Sequence, residues 1–409
     1  MNKRLLSLLL LLSLLFSLSA CRQEEDKLLV PPDDPPNGEG TLPPNEEPDA
    51  RPPEEPPVEN DPVPEPPVSA ADWIVDTTLL TERSQTIDRV FPATDDLLLV
   101  FTSTLSDGYV SEQINLYTYS LSDRAFTGDW VSLGIVGQYP HTVYADGTVM
   151  VLTRNTETYE YESMLFIDPH ALTFERHALT ALEDLRSIHI SPDKKLAAVS
   201  TGQGLRITDL SFETVLTHHP GYVPEGGDPE LDYVLPVATG WLQDGSAVVG
   251  KLLSWEWVHH PFLLDRDGQM TLLDAHTGLT ALPYGSDLLL CDSFTMIPHG
   301  LIAPDGSGSG VLELQDLPRD DGSAYLSALS CDGGNELLGL AIATPDGAYA
   351  CRADFYHRGR LLTRLTLPQN GAFPVTFDSI TFTPDGHKAV LMTGATVDYP
   401  AAIHIQTLD

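Results

Sequence analysis

The chain has 409 residues, of which 42% are hydrophobic and 20% are charged, and this balance suits a globular protein with an apolar core. Its formal net charge is −37, which excludes a nucleic-acid-binding surface, because phosphate contacts need clustered Lys and Arg. The length allows two or three average domains or one large all-β domain.

The chain begins with MNKRLLSLLLLLSLLFSLSAC, which has the features of a secretory signal. Lys3 and Arg4 form a short basic segment, and an apolar run follows from Leu5 to about Leu18. A transmembrane helix needs about 20 apolar residues, so this run is short for one. We therefore predict a signal peptide over residues 1–20.

Leu18-Ser19-Ala20-Cys21 resembles the lipobox of bacterial lipoproteins. The resemblance implies cleavage before Cys21, lipidation of its thiol, and acylation of the new N-terminus, with palmitate among the acyl chains. Two or three acyl chains anchor a protein stably in a membrane. The implied location is the bacterial cell envelope, on the outer side of the cytoplasmic membrane or in the outer membrane of a Gram-negative source. An ordinary secreted protein with a chance cysteine is the alternative.

Residues 21–71 have a different composition, since Pro, Glu and Asp dominate VPPDDPPNGEGTLPPNEEPDARPPEEPPVENDPVPEPPV. Few aromatic or branched apolar residues occur, so the segment cannot bury enough surface to fold. Its prolines and like charges favour an extended chain. We expect a disordered tether, which is either a passive spacer or a recognition site for a proline-binding partner.

Residues 72–409 consist of short apolar runs separated by turn residues, which predicts an all-β domain. A turn-then-strand phrase recurs about every 48 residues, near the period of propeller blades with four strands. Within the phrase, Pro fixes φ, Asp can accept backbone N–H groups, and Gly accepts a positive φ. The phrase therefore predicts a hairpin between the inner two strands of each blade, with a structural Asp. The copies lie near Asp95, Asp146, Asp193, Asp244, Gly285, Asp332 and Asp385.

This count predicts a β-propeller of seven four-stranded blades, or six if the degenerate copies at Asp95 and Gly285 do not each begin a blade. The last repeat supplies three strands, SITF, KAVLMT and AAIHIQTL, whereas DWIVDTTLL is a spare strand near Asp72. We predict that the spare strand completes the last blade, because this pairing removes open sheet edges.

The repeats resemble the TolB-like, or PD40, branch of WD40-like β-propellers, whose blades carry a similar Ser/Thr-Pro-Asp-Gly phrase. Thr383-Pro384-Asp385-Gly386 and Ser191-Pro192-Asp193 are the best copies, and the second has Lys194 where glycine is usual. The resemblance covers roughly residues 72–409 and implies a propeller with a binding role. Propellers serve many functions, so the fold by itself does not select one.

Three predicted loop segments carry candidate ligand-binding residues. Loops held by a rigid scaffold often carry function, and exposed aromatic rings beside carboxylates and imidazoles suit a sugar ring or a peptide. The tryptophans could instead pack as a small satellite core. The candidates are Trp255, Trp257 and His259 in SWEWVHHP, Tyr222 and Tyr233 in HHPGYVPEGGDPELDYVLP, and Tyr159 and Tyr161 in RNTETYEYES.

Motifs for cofactor chemistry or nucleophilic catalysis are absent from the sequence. PDGSGSG lacks the Lys of a phosphate loop, and no Gly-x-Ser-x-Gly motif occurs. His218-His219 and His259-His260 could chelate a metal only from irregular loops, because adjacent residues of a strand point to opposite sides. We predict no cofactor, no metal site and no catalytic residue.

Three cysteines, Cys291, Cys331 and Cys351, occur in the predicted propeller. An odd number cannot form a complete disulfide framework. Cys291 and Cys351 lie in predicted strands, so we expect buried thiols there. One disulfide among the three cysteines is the alternative.

The sequence therefore predicts a membrane-anchored propeller that binds a glycan or a peptide on its loop-rich end. A propeller enzyme, a hydrolase or lyase acting at the central channel, is the rival class. Asp232, Asp292 and Asp398 would be its candidate carboxylates, and two carboxyl groups about 5–10 Å apart would support a glycosidase. The third alternative is a docking scaffold for an envelope protein complex, which a broad apolar patch would favour.

Overall fold

The structure is a computed structural model that describes residues 71–106, 109–139, 143–144, 146–179, 182, 184–224, 228, 233–254, 259–308, 310–312, 314, 324–344, 349–368, 375–394 and 400–408. The predicted signal peptide, Cys21 and the tether up to residue 70 lie outside these ranges.

Almost all of the regular secondary structure in the described chain is β-strand. One α-helix, α1 (Thr78–Glu82), and one 3-10 turn (Asp274–His276) accompany the strands of the described residues, and no helix there is long and apolar enough to cross a membrane. In chain order the strands are β1 (Trp73–Ile74), β2 (Gln85–Pro92), β3 (Leu97–Ser106), β4 (Tyr109–Ser120), β5 (Ala125–Gln138), β6 (Val149–Arg154), β7 (Tyr161–Asp168), β8 (Thr173–Ala178), β9 (Leu185–Ile190), β10 (Leu196–Thr201), β11 (Gly204–Asp209), β12 (Val215–Pro220), β13 (Leu235–Trp241), β14 (Ala247–Leu253), β15 (His259–Asp265), β16 (Met270–Leu272), β17 (Leu279–Tyr284), β18 (Asp287–Asp292), β19 (Pro298–Ile302), β20 (Gly310–Val311), β21 (Tyr325–Asp332), β22 (Leu337–Ala343), β23 (Tyr349–His357), β24 (Arg360–Pro368), β25 (Phe377–Phe382), β26 (Lys388–Thr393) and β27 (Ala402–Thr407).

These strands form seven four-stranded antiparallel blades in the described residues. β9–β12, β13–β16, β17–β20 and β21–β24 each form a separate sheet, whereas β2–β8 form one seven-stranded sheet. The long strand β5 serves two blades, because its earlier part pairs with β4 and its last residues, from Ile135 onward, pair with β6. The chain changes direction at Gly134, which has a φ of 85°. The large sheet therefore contains blades one and two, and the predicted count of seven is confirmed.

Blade seven combines the two ends of the described chain. β25, β26 and β27 pair in order, and β1 adds to β27 through the pairs Trp73–Ile405 and Ile74–His404. The spare strand thus pairs as predicted, but it is shorter than DWIVDTTLL. Asp76 Oδ1 accepts the Thr78 N–H at 2.9 Å, and this local bond favours a turn over a strand, so the segment continues as α1.

Apolar side chains pack between consecutive blades. Seven clusters occupy these junctions in the described residues. One of them joins blade seven to blade one, where Ile403 and Ile405 of β27 pack with Leu98 and Val100 of β3. All seven residues of β22 are buried, because neighbouring blades cover both faces of this inner strand. A continuous apolar run in the sequence is typical of a strand that is buried on both faces.

The aspartates of the repeated phrase shape their own turns, as predicted. Asp193 Oδ1 accepts the Ser191 hydroxyl at 2.6 Å, and this bond lowers the pKa of Asp193. Asp385 Oδ1 accepts the Thr383 hydroxyl at 2.6 Å and the His387 N–H at 3.0 Å. These carboxylates are therefore structural, since turn donors occupy them.

Lys194 shows why one copy of the phrase departs from glycine. Its φ is 54°, a value that a residue with a side chain rarely adopts. Its ammonium pairs with the Asp146 carboxylate of blade two and lies 5.4 Å from the centre of the Tyr144 ring. These contacts between turns offset the backbone strain at this position.

Other turns also bind their neighbours across blade junctions. The Asp385 N–H donates to Asp95 Oδ1 at 2.8 Å and joins blade seven to blade one. Asn335 Nδ2 donates to the Pro384 carbonyl at 2.8 Å and joins blade six to blade seven. Backbone and side-chain bonds between turns therefore connect blades at this end of the propeller.

The antiparallel strand order gives the propeller two distinct ends. We call the end with the turns between strands one and two, and between strands three and four, the turn face. The opposite end, with the loops between strands two and three and the connections between blades, is the loop face. Asp72 lies at the turn face, where its Oδ2 accepts the Thr407 N–H at 2.6 Å.

The described cysteines are free thiols. Cys291 in β18 and Cys351 in β23 are buried, as predicted for these strands. Burial raises the pKa of Cys351 to about 11, so its thiol stays protonated at neutral pH and is a weak nucleophile.

Candidate functional site

Exposed apolar side chains are distributed unequally between the two ends. Among the described residues, the large exposed ones lie on the loop face or on the outer, fourth strands, and none lies in a turn of the turn face. Those on fourth strands are Ile74, Trp130, Val215, Leu216 and Leu272. Those on the loop face are Leu105, Val110, Tyr159, Tyr222, Tyr233, Phe294 and Tyr325. The loop face therefore offers the aromatic surface on which a ligand could stack.

Tyr222 and Tyr233 are brought together in the connection between blades three and four. Tyr222 and Val234 exchange two backbone hydrogen bonds of 3.0 and 2.7 Å. The Tyr233 ring lies against Gly221 in the space that a Cβ would occupy there. The two rings are 48% and 39% exposed, so this connection presents a fixed pair of tyrosines.

Tyr159 and Tyr161 lie in the loop between β6 and β7 of blade two. Asn155 Oδ1 accepts two backbone N–H groups of this loop, at 2.8 and 3.0 Å, and Tyr159 adopts a φ of 58°. The Tyr159 hydroxyl donates to Glu112 Oε2 of blade one at 2.6 Å, and this bond raises the pKa of Tyr159. The Arg154 guanidinium lies 4.9 Å from the centre of the Tyr161 ring, so Tyr159 is the more available of the two.

His259 lies beneath the loop face, at the junction of blades four and five. Its side chain is 3% exposed, and Nδ1 lies 3.2 Å from Thr280 Oγ1. The imidazole stacks on Phe294, with ring centres 6.3 Å apart, while Phe294 itself is 71% exposed. Nε2 is buried and has no hydrogen-bond partner among the described residues. Burial, together with the charge of Lys251, lowers the pKa of His259 to about 4, so the ring is neutral at pH 7.

Lys251 is a neighbour of His259 that sequence reasoning missed. Leu253 pairs with His259 and Lys251 with Pro261, so Lys251 and His259 lie diagonally on the same side of the β14–β15 pair. Lys251 is partly buried, and desolvation lowers its pKa. In the described part of the chain it forms no ion pair. The available signal was the single charge in the strand sequence AVVGKLL.

The adjacent histidines point to opposite sides, as predicted for extended strands. His260 faces away from His259, and its Nδ1 lies 3.2 Å from Thr277 Oγ1. Within the described ranges, no group of three or more His, Cys, Asp and Glu residues is arranged to hold a metal ion.

Asp292, one of three candidate carboxylates for the enzyme alternative, holds a loop. Its Oδ1 accepts the Phe294 N–H at 2.9 Å and the Thr295 N–H at 2.7 Å. Burial would raise the pKa of Asp292, but these bonds outweigh burial and lower it. Asp292 thus fixes the loop that carries Phe294. The other two carboxylates, Asp232 and Asp398, lie outside the described residues, as do Trp255 and Trp257.

The described candidates therefore form three groups on the loop face: Tyr159 and Tyr161 in blade two, Tyr222 and Tyr233 between blades three and four, and His259 between blades four and five. Among the described residues, no hydrogen bond or ring contact links one of these groups to another.

A cleft of about 420 Å³ lies at the turn face, between blades two and three. Phe166, Phe174, His177 and Lys194 contribute to its lining. Its basic side chains already have partners, since His177 Nε2 lies 3.1 Å from Glu175 Oε1 and Lys194 pairs with Asp146. The loop face is the better candidate site, because its aromatic rings are exposed and Lys251 forms no ion pair among the described residues.

Solved structures with a similar fold include peptidases and the propeller domain of a protease. A structure from a study of two prolyl endopeptidases matches with a TM-score of 0.54 and 14% identity, over 82% of this chain and 50% of that chain. The acylaminoacyl peptidase of Pyrococcus horikoshii matches with a TM-score of 0.51 and 10% identity, over 78% of this chain and 51% of that chain. The β-propeller domain of the Trilobed protease from Pyrococcus furiosus matches with a TM-score of 0.50 and 11% identity, over 79% of this chain and 95% of that domain.

This chain spans about half the length of the two whole peptidases that it matches. No family model matches the chain, and no curated protein matches it. At such low identities the structural likeness concerns the fold, which is a β-propeller.

Proposed function

We propose that this chain is a lipid-anchored lipoprotein of the bacterial cell envelope, with a TolB-like propeller that binds an extended peptide on its loop face. The signal-like residues 1–20 and the lipobox-like sequence ending at Cys21 support the anchor. The Ser/Thr-Pro-Asp-Gly phrases at Ser191 and Thr383 support the TolB-like relationship.

The observation that carries the binding role is the distribution of exposed aromatic rings. Tyr159, Tyr222, Tyr233 and Phe294 are exposed on the loop face, whereas no large apolar side chain is exposed in the described turns of the opposite end. Burying apolar area contributes about 25 cal/mol per Å², so several rings held by a rigid scaffold can bind a ligand without a deep pocket.

A peptide suits this surface better than a glycan. The rings are spread over blades two to five, which fits a long ligand with several apolar side chains. The net charge of −37 also favours ligands that carry basic residues, because opposite charges steer association. The peptidase names of the similar folds support the same ligand class.

Binding is tested by selecting from a displayed random-peptide library with the full chain in detergent, followed by titration of the selected peptides. The double variant Tyr222→Ala/Tyr233→Ala should weaken binding at least roughly tenfold, as expected when central aromatic contacts are removed. Leu216→Ala on β12 is the matched control, because Leu216 is exposed on a fourth strand. If no peptide is selected and the chain binds to a glycan array, the peptide proposal is wrong and the ligand is a sugar.

The anchor is tested separately. Cys21→Ser should move the protein from the membrane fraction to the soluble fraction of the producing bacterium, because the acylated thiol is lost. Cys331→Ser is the control, since Cys331 lies in the propeller strand β21. Membrane retention of the Cys21 variant would contradict lipidation at this residue.

A further inference from the structure

Two polar groups at the junction of blades four and five have no partner in the described part of the chain. Lys251 forms no ion pair there, and Nε2 of His259 makes no hydrogen bond although it is buried. A buried nitrogen without a hydrogen-bond partner is unfavourable in a protein interior, and the partly buried Lys251 places a cation on the same side of the β14–β15 pair. Their presence next to each other indicates a missing acceptor.

The hydrogen-bond network is compatible with a donor role for Nε2. Ser293 Oγ lies 3.1 Å from Thr280 Oγ1, and Thr280 Oγ1 lies 3.2 Å from His259 Nδ1. When Ser293 donates to Thr280 and Thr280 donates to Nδ1, the hydrogen of the neutral ring resides on Nε2. Nε2–H and the Lys251 ammonium then both require an acceptor on the same side of the β14–β15 pair.

Charge identifies the acceptor that fits. The charge of Asp292 acts on His259, but this carboxylate holds the Phe294 loop through Oδ1 and forms no ion pair with His259 or Lys251 among the described residues. A carboxylate supplied from outside would satisfy both donors and balance the charge of Lys251, because charge-assisted hydrogen bonds are the stronger ones.

We propose that Lys251 and His259 form a subsite for a carboxylate, and that the peptide on the loop face is held there by its free C-terminus. This inference rests on the function proposed above. Phe294 lies over the imidazole and is mostly exposed. An apolar side chain beside the bound carboxylate would contact the exposed Phe294 ring.

The test compares N-acetyl-Ala-Ala-Phe with its C-terminal amide, titrated into the full chain in detergent at pH 7. The acid should bind roughly 10- to 100-fold more tightly than the amide, which is the usual effect of losing a charged hydrogen-bond partner. Lys251→Met should remove this difference, and Lys251→Arg should restore part of it. Lys195→Met, at an exposed position of the turn face, should leave the difference intact.

Equal binding of acid and amide to the wild-type chain overturns the subsite, as does failure of both to bind at millimolar concentration. The wild-type comparison needs no variant, so it holds even if Lys251→Met does not fold. If acid and amide bind equally and Tyr222→Ala/Tyr233→Ala weakens both, the loop face still binds peptides and the carboxylate subsite is wrong.

Discussion

The turn face and the loop face belong to the same seven blades of the described chain, yet they differ in the chemistry of their side chains. At the turn face, aspartate carboxylates accept hydrogen bonds from their own turns, and neighbouring turns bind each other. At the loop face, aromatic rings are exposed, and Lys251 and His259 Nε2 have no partner among the described residues. The difference supports the proposal that one end stabilises the propeller and the other binds a peptide.

The largest expected effect concerns glycines at the two ends. Gly333 contacts the backbone of Gly285 in the neighbouring blade, and an alanine Cβ would overlap that backbone. Gly333→Ala should lower the free energy of unfolding by about 3 kcal/mol, because backbone atoms cannot move aside easily. Urea denaturation measures the change.

Gly278→Ala is the matched control in the connection between blades four and five, at the loop face. Gly278 has a φ of 87°, and a Cβ there would meet no atom within 4 Å. It should lose only about 1 kcal/mol, the ordinary strain of a left-handed residue. Equal losses at Gly333 and Gly278 would contradict the structural role of the turn face.

The loss of stability in acid should occur in two pH ranges, one set by the buried histidines and one by a turn-face aspartate. Burial lowers the pKa of His259 and of His404 to about 4, against about 6.5 in the unfolded chain. The unfolded state therefore binds more protons between these values, and the free energy of unfolding falls as pH drops from about 6.5 to 4, by up to about 3 kcal/mol per histidine. Asp146, whose bond from Lys194 lowers its pKa to about 2, contributes a further loss below about pH 4.

Unfolding followed from pH 8 to pH 3 checks these two windows. His404→Gln and His259→Gln should each flatten the curve between pH 6.5 and 4 and leave the loss below pH 4 unchanged. His170→Gln, at an exposed position of the turn face, should follow the wild-type curve. A wild-type chain of constant stability down to pH 4 would exclude buried neutral histidines.

A smaller effect is expected at Lys194. Lys194→Ala keeps the φ of 54° and loses the pair with Asp146, so it should lower the free energy of unfolding by about 1 kcal/mol. Lys194→Gly also relieves the backbone strain, about 1 kcal/mol, and should nearly match the wild type. Denaturation at low and high salt tests the ionic part, since salt should reduce the cost of Lys194→Ala.

The smallest effect on stability is expected at the loop face. Tyr222→Ala and Phe294→Ala should change the free energy of unfolding by no more than about 0.5 kcal/mol, because exposed positions contribute little. The same variants should weaken peptide binding. Thermal unfolding without peptide, measured beside the titrations, checks this, and a loss of stability comparable to that of Gly333→Ala would undermine the distinction between the ends.

The sequence predicted the fold where local chemistry determines structure. KAVLMT coincides with β26 because the turn before it contains its own donors and a glycine at a φ of 72°. The sharing of β5 between two blades was not predictable, since a bend at Gly134 replaces the usual loop and its turn residues. The short helix α1 was missed because its apolar residues resemble a strand.

The candidate site was only partly accessible from the sequence. Tyr159, Tyr222 and Tyr233 were found because they follow strand-like runs in polar segments and are exposed. Lys251 and Phe294 were missed. Lys251 lies beside His259 because of the β14–β15 register, and Phe294 contacts His259 because blade five packs against blade four. Contacts between residues this far apart in the sequence leave no local pattern.

The entry of the chain at the turn face has a mechanical consequence. β1 begins at Trp73 on that end and runs toward the loop face along β27. Under the proposed anchoring, tension from the membrane would reach the propeller at the pole opposite a captured peptide. Tension directed along β1 would shear the Trp73–Ile405 and Ile74–His404 pairs together rather than peel them one after the other, because their hydrogen bonds run across the strands.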